Sequence, residues 1–179
     1  AEGGITLSTY DADDNQTSIT YSGGNVTTFT YDAQGNVLTE TDALGNTTTF
    51  TYNQFNQVLT TSDALGFTTT NEYDDAGNLT KTTDAEGNIT TNKYDDAGHL
   101  VQVIDESGNV TDLDYNVFGL ITQITDSEGG VGTFSYDNSG NIVSLTTPRE
   151  IENTFSYDSE NRLTAFTDGL GNVSTDEIT

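Results

Sequence analysis

Tyr94-Asp95-Asp96-Ala97-Gly98-His99-Leu100, followed by Asp105-Glu106-Ser107-Gly108-Asn109-Val110-Thr111, is the stretch whose reading decides the fold. Its first residue belongs to a series, Tyr10, Tyr31, Tyr52, Tyr73, Tyr94, Tyr115, Tyr136 and Tyr157, each 21 residues after the last. Asp or Asn follows every one of these tyrosines, and four residues after the Tyr there is usually Gly, as at Gly35, Gly77 and Gly98. Between the tyrosines a second signal recurs as Asp-x-x-Gly, for example Asp42 to Gly45, Asp63 to Gly66 and Asp84 to Gly87. A fixed period of this size marks stacked supersecondary units, none of which can bury its apolar strip alone.

Both signals describe a tight turn. Asp at the first position bonds backbone two residues on, and Gly at the fourth accepts the positive φ that closes the connection. Between turns run segments such as Asn46-Thr47-Thr48-Thr49-Phe50-Thr51-Tyr52, rich in Thr and aromatics and without helical spacing. They read as strands. Thr makes up about a fifth of the chain, and its branched side chain suits a half-wet pleated surface better than a helix interior. The expectation is an all-β, repetitive antiparallel strand-turn-strand array over residues 1–179. It has about eight 21-residue units, with partial units at both ends.

The columns name the apolar face. Six residues after the Tyr stand Val37, Val58, Leu79, Leu100, Ile121, Ile142 and Leu163. Two residues before it, on the same face by strand alternation, stand Phe29, Phe50, Leu113, Phe134 and Phe155. Tyr31, Tyr52, Tyr73, Tyr94, Tyr115, Tyr136 and Tyr157 are therefore expected to form a structural ladder, with Tyr73 and Tyr94 mostly buried.

The quoted units resemble the Rhs repeat, also called the YD repeat, and the resemblance runs from about Tyr10 to Asn172. It implies a twisted sheet that spirals into a β-shell or β-solenoid, and large secreted or surface proteins: toxin shells, wall-associated proteins and adhesion receptors. It also brings glycans in as candidate partners. This chain departs from the pattern after the turn glycine. The family often has Arg or Lys there, whereas here stand Asn36, Asn78, His99, Leu120 and Asn141, with Arg162 the arginine of that column.

Charge narrows the function. Four Lys+Arg against 29 Asp+Glu leave a formal net charge of −25, which excludes a basic nucleic-acid or anionic-membrane footprint. No apolar run is long enough for membrane insertion, and Cys is absent, so disulfides and thiolate chemistry drop out. His99 is the lone histidine, with acidic neighbours Asp95 and Asp96 but no serine placed to be its nucleophile. No phosphate-binding glycine loop occurs, and the carboxylates fall in repeating turn columns rather than in one unique pair. No enzyme activity and no cofactor are expected.

Two weaker site readings follow from the rims. Asp11, Asp13 and Asp14 form the richest acidic set and are the candidates for Ca²⁺, although no full Ca²⁺ loop is present. Asn15, Asn25, Asn46, Asn78, Asn88, Asn109 and Asn172 open Asn-x-Ser/Thr sequons, candidates for glycosylation that a Gly-Asn-x-Thr repeat also generates by itself. The sequence-level expectation is a non-enzymatic, extracellular or cell-surface structural and adhesive repeat protein. It is a filament subunit assembling head to tail through Ile5 to Tyr10 and Val173 to Ile178. The alternatives are a piece of a toxin-encapsulating shell and a carbohydrate-binding module.

Overall fold

The computed structural model describes residues 6–175. Ile5 and residues 176–178 of the expected docking ends lie outside them. The described residues are all strand and turn, with 17 strands. The chain divides into two compact units, Ala1–Thr90 and Thr91–Thr179.

The first unit contains β1 (Leu7–Tyr10), β2 (Gln16–Thr20), β3 (Val26–Tyr31), β4 (Val37–Thr41), β5 (Thr47–Tyr52), β6 (Val58–Ser62), β7 (Thr68–Tyr73) and β8 (Leu79–Thr83). Each strand from β1 to β8 pairs antiparallel with the next. Strand β9 (Ile89–Tyr94) spans the division. The second unit continues with β10 (Leu100–Ile104), β11 (Val110–Tyr115), β12 (Ile121–Thr125), β13 (Val131–Tyr136), β14 (Ile142–Thr146), β15 (Glu152–Tyr157), β16 (Leu163–Thr167) and β17 (Val173–Thr175). From Thr91 onward it is the same antiparallel meander. This is the repetitive strand-turn-strand array that the 21-residue period predicts.

The two hairpin types differ. Those closed by the Tyr turn carry a β-bulge beside the tyrosine: Tyr31 faces Val37 while Thr30 faces Thr39, leaving Leu38 as the extra residue. Those closed by the half-repeat turn run in plain register, Thr39 with Thr49 through Thr41 with Thr47. Strand alternation is visible in exposure: along β3, Thr27, Phe29 and Tyr31 are half-buried and Val26, Thr28 and Thr30 exposed.

Burial on the tyrosine face is partial: Tyr73 and Tyr94 are half-buried, and no described residue is fully buried. Within each unit, contacts join only strands that are consecutive in sequence, so no second layer of the same unit covers the tyrosine face. Stacking alone half-covers the apolar strip. A second layer would be needed to finish the job.

Candidate functional site

The turn is the unit from which every polar feature of the molecule is built. At Asp32-Ala33-Gln34-Gly35-Asn36, the Asp32 N–H donates to the Asn36 carbonyl at 2.9 Å and the Gly35 N–H to the Asp32 carbonyl at 3.2 Å. This is a three-residue hairpin loop whose last residue takes a left-handed conformation, with φ +86° at Gly35. Where the repeat lacks that glycine, the geometry persists on Asp14, Asn56, Glu150 and Asn161, all with φ near +60°. Asp and Asn tolerate this region, Glu less readily.

Asp32 locks its loop. Its Oδ1 accepts the N–H groups of Gln34 and Asn36, each at 2.9 Å, and its Oδ2 accepts Nδ2 of Asn36 at 2.9 Å. The half-repeat turn at Asp42 is built identically, with Asn46 donating at 2.7 Å. The Asn46 amide, with the backbone N–H groups, holds the Asp42 carboxyl below the ordinary aspartate range, and the same holds at Asp74, Asp84, Asp105, Asp137 and Asp168. Hydrogen bonds to the charged form favour it.

Those locks engage the residues read as sites. Asp11 accepts from the backbone of Asp13 and Asn15 and from the Asn15 side chain. Among the described residues, no group of three or more His, Asp or Glu side chains is arranged to hold a metal ion, and Asp11, Asp13 and Asp14 are not brought together as one. Of the sequon asparagines, Asn15, Asn46, Asn78, Asn88, Asn109 and Asn172 each donate their amide to the turn aspartate at 2.7–3.0 Å. Asn25 differs, because Tyr21 stands where that aspartate would be.

His99 sits in the asparagine column and does what asparagine does. Its Nδ1 lies 2.9 Å from Asp95 Oδ2, and its ring stacks on Tyr115 at 4.8 Å and 20°. The Asp95 carboxyl is lowered first by this side-chain contact. A base engaged this way, with an aromatic ring across its face, has the surroundings of a turn lock.

The tyrosines do more than fill a face. Tyr52 Oη–H donates to the Val37 carbonyl at 2.8 Å, and Tyr31, Tyr73, Tyr115 and Tyr136 repeat this contact with the carbonyl 15 residues earlier, at 2.6–3.0 Å. The reason lies in the register. Pairing of β4 with β5 stops at Thr39 and Thr49, so Val37 falls beyond the last rung and its carbonyl needs another donor. Tyr52 supplies it from the next repeat. Sequence reasoning predicted the column but not the hydroxyl's task. The available signal was that the column is Tyr throughout, never Phe. Tyr94 also makes a polar or ring contact, and Tyr157 is half-buried like the others.

On the other face, hydroxyls pair across strands, as in Thr30 with Thr39 at 2.7 Å and Thr51 with Thr60 at 2.6 Å. The arrangement as a whole offers fastening.

Comparison with known proteins agrees with this architecture. The RHS repeat family model matches residues 10–47, 31–68, 52–89, 94–131 and 115–151. Among solved structures, the chain is similar to the crystal structure of TcdB2-TccC3-TEV, with TM-score 0.54 and 16% identity over 94% of this chain and 12% of that one. It is similar, too, to a Tc holotoxin pore of Photorhabdus luminescens carrying a TccC3 mutation, with TM-score 0.50 and 12% identity over 91% of this chain and 13% of that one. The chain thus spans about an eighth of the length of those structures, and at such identity the likeness is one of fold. A search of curated proteins gave no match. With the family model covering most of the 21-residue units, this chain belongs to the RHS repeat family.

Proposed function

We propose that this chain is a stretch of wall in a larger Rhs-repeat assembly, a non-enzymatic structural element working outside the cell or at its surface. The observation that carries this reading is the uncovered tyrosine face. Turn locks fix each hairpin and the hydroxyls of Tyr31, Tyr52, Tyr73, Tyr115 and Tyr136 reach back to the preceding repeat, yet no described residue is fully buried. A sheet built so regularly and left half-wet on its apolar side is suited to lining an enclosed volume or to receiving a second layer. One of the similar structures holds TccC3 together with TcdB2. By analogy, the partners here are further repeats, in the same chain or a companion chain, meeting at strand edges.

Electron microscopy of the natural protein that carries this array tests the reading. Hollow, closed particles are expected. Fibres with no enclosed volume would replace it by the second reading, a filament-forming or adhesive subunit. That reading draws on strands β1 and β17, which are exposed along their whole length, since an exposed strand can template another chain. If glycans are added, Asn25 is the acceptor expected first, since the other sequon amides are held by aspartates; peptide mass mapping of native material reports the occupancy.

A further inference from the structure

In the second unit the repeat breaks its own code at one place. The turn Asp126-Ser127-Glu128-Gly129-Gly130 has Gly130 where other half-repeat turns have Asn46, Asn88 or Asn109. Strand β13 has Gly132 where the equivalent strands have Thr48, Thr90 or Thr111. The next half-repeat turn replaces Asp by Thr147 and follows it with Pro148. Two side chains are thus deleted from the half-repeat rim, and a cavity of about 250 Å³ opens there. Ile124, Phe134, Leu145 and Pro148 line it with apolar surface, and Asp126 lines its edge.

Asp126 differs from Asp105 and Asp168, the other aspartates that open half-repeat turns in the same unit, in a way that follows from Gly130. Its Oδ1 accepts the N–H groups of Glu128 and Gly130 at 3.0 and 2.7 Å, as in every other lock. Its Oδ2 has no asparagine amide to accept, because position 130 has no side chain. That oxygen lies where a Cβ on residue 130 would be, 2.5 Å from the ideal position. Among the described residues no hydrogen bond reaches it, so a carboxylate oxygen is left available beside an apolar floor.

We propose that this cavity is a recognition site for an arginine side chain presented by a partner polypeptide. The aliphatic stem would cover Ile124, Leu145 and Pro148, and Phe134 offers an aromatic surface to the guanidinium plane. Asp126 Oδ2 would accept its N–H groups in a charge-assisted pair. Arginine fits better than lysine because a planar, weakly hydrated cation can use both the ring and the carboxylate. The net charge of −25 adds long-range attraction for basic partners, but the local site supplies the selectivity.

The test uses the whole chain at about 0.15 M salt, where distant charges are screened. Acetyl-arginine-amide is titrated while the methyl resonances of Ile124 and Leu145 are followed by NMR, with acetyl-citrulline-amide as the neutral isostere. Saturable shifts confined to this site, at least about fivefold stronger for arginine than for citrulline, are expected, on the scale of one charge-assisted pair. The variant G130N/G132T restores the residues of the other repeats and should abolish the shifts. A Cβ at 132 would meet Thr146 O at 3.6 Å and Pro148 Cδ at 3.9 Å, ordinary contacts, so the strand accommodates it. D126N keeps the cavity open and should reduce arginine binding to the citrulline level. An unchanged amide spectrum away from the rim confirms that each variant is folded. Equal binding of citrulline, undiminished binding to G130N/G132T, or shifts spread evenly over all the acidic turns would each overturn the proposal.

Discussion

The two units share a turn chemistry and differ in what faces what across their hairpins. In the first, the tyrosine-face rung behind each Tyr turn always includes a polar residue: Phe29 opposite Glu40, Phe50 opposite Thr61, Asn71 opposite Thr82. In the second, Asn92 still faces Val103, but the later rungs are apolar on both sides: Leu113 faces Ile124, Phe134 faces Leu145, and Phe155 faces Phe166 with ring centroids 5.3 Å apart. Where the first unit puts Asn71, hydrogen bonds replace packing: Asn71 accepts from Thr82 at 3.0 Å and donates to the Val58 carbonyl at 3.1 Å, the carbonyl that Tyr73 also uses. The same backbone is built in both units. The turn locks and tyrosine hydroxyls, common to both, therefore specify the fold, and the apolar rungs are an addition that varies.

Acid should give the largest effect. Five aspartates in the first unit (Asp11, Asp32, Asp42, Asp74, Asp84) and five in the second (Asp95, Asp105, Asp137, Asp158, Asp168) are held below the ordinary value of 3.8. A carboxyl whose folded pKa lies below its unfolded one contributes stability that is complete above the unfolded value. That contribution is lost as pH falls through the folded value. Both units should therefore lose stability together below about pH 4. Residue-resolved NMR during acidification reports this. If the second unit outlasts the first by a full pH unit, the apolar rungs and not the locks dominate, and the comparison is broken.

Truncating the rungs comes next. Phe155→Ala should cost about 2 kcal/mol, half the value for a fully buried aromatic, because the ring is half-buried and loses its partner Phe166. Phe29→Ala, opposite Glu40, should cost about 1 kcal/mol. Urea unfolding measures both. Equal costs would mean that the facing residue is irrelevant.

How much of this was legible in the residues differs by level. The strands, the two turns per unit and the identity of the apolar face all follow from spacing, because the 21-residue period leaves each column in one orientation. The lack of a fully buried core did not follow. A column shows only which face is apolar, and whether anything lies over it depends on tertiary layers. The hydroxyl contact of Tyr52 with Val37 was hidden for a related reason. It exists because a bulge ends the ladder early, which appears only when hairpins lie side by side. Gly130 and Gly132 were visible as departures, yet their joint meaning needed Pro148 from the following hairpin.

The tyrosine hydroxyls offer a finer test of what is common. Tyr52→Phe in the first unit and Tyr115→Phe in the second each remove one hydrogen bond, to Val37 and Leu100. Each should cost about 1 kcal/mol, and by the same amount, since each hydroxyl reaches the carbonyl 15 residues earlier at the same 2.8 Å. A difference larger than about 0.5 kcal/mol in paired denaturation curves would show that the rung behind the tyrosine modulates the contact.

The smallest effect expected is a gain, and it belongs to the second unit alone. Glu150 closes the turn that begins at Thr147, with both backbone bonds at 2.9 Å and φ +59°. That conformation costs an ordinary L-residue about 1–2 kcal/mol, so Glu150→Gly removes strain. Glycine gives back about 0.5–1 kcal/mol in chain entropy. The net should be a stabilisation of up to about 1 kcal/mol, read from a raised urea midpoint at unchanged slope. Asn161 occupies the same turn position at φ +61°, but asparagine tolerates it, so Asn161→Gly should change stability by less than about 0.5 kcal/mol. If Glu150→Gly is neutral or destabilising while Asn161→Gly behaves as expected, the Glu150 side chain contributes something its backbone does not show. The turn beside Pro148 would then be a second place, after Gly130, where this unit has exchanged stability for another purpose.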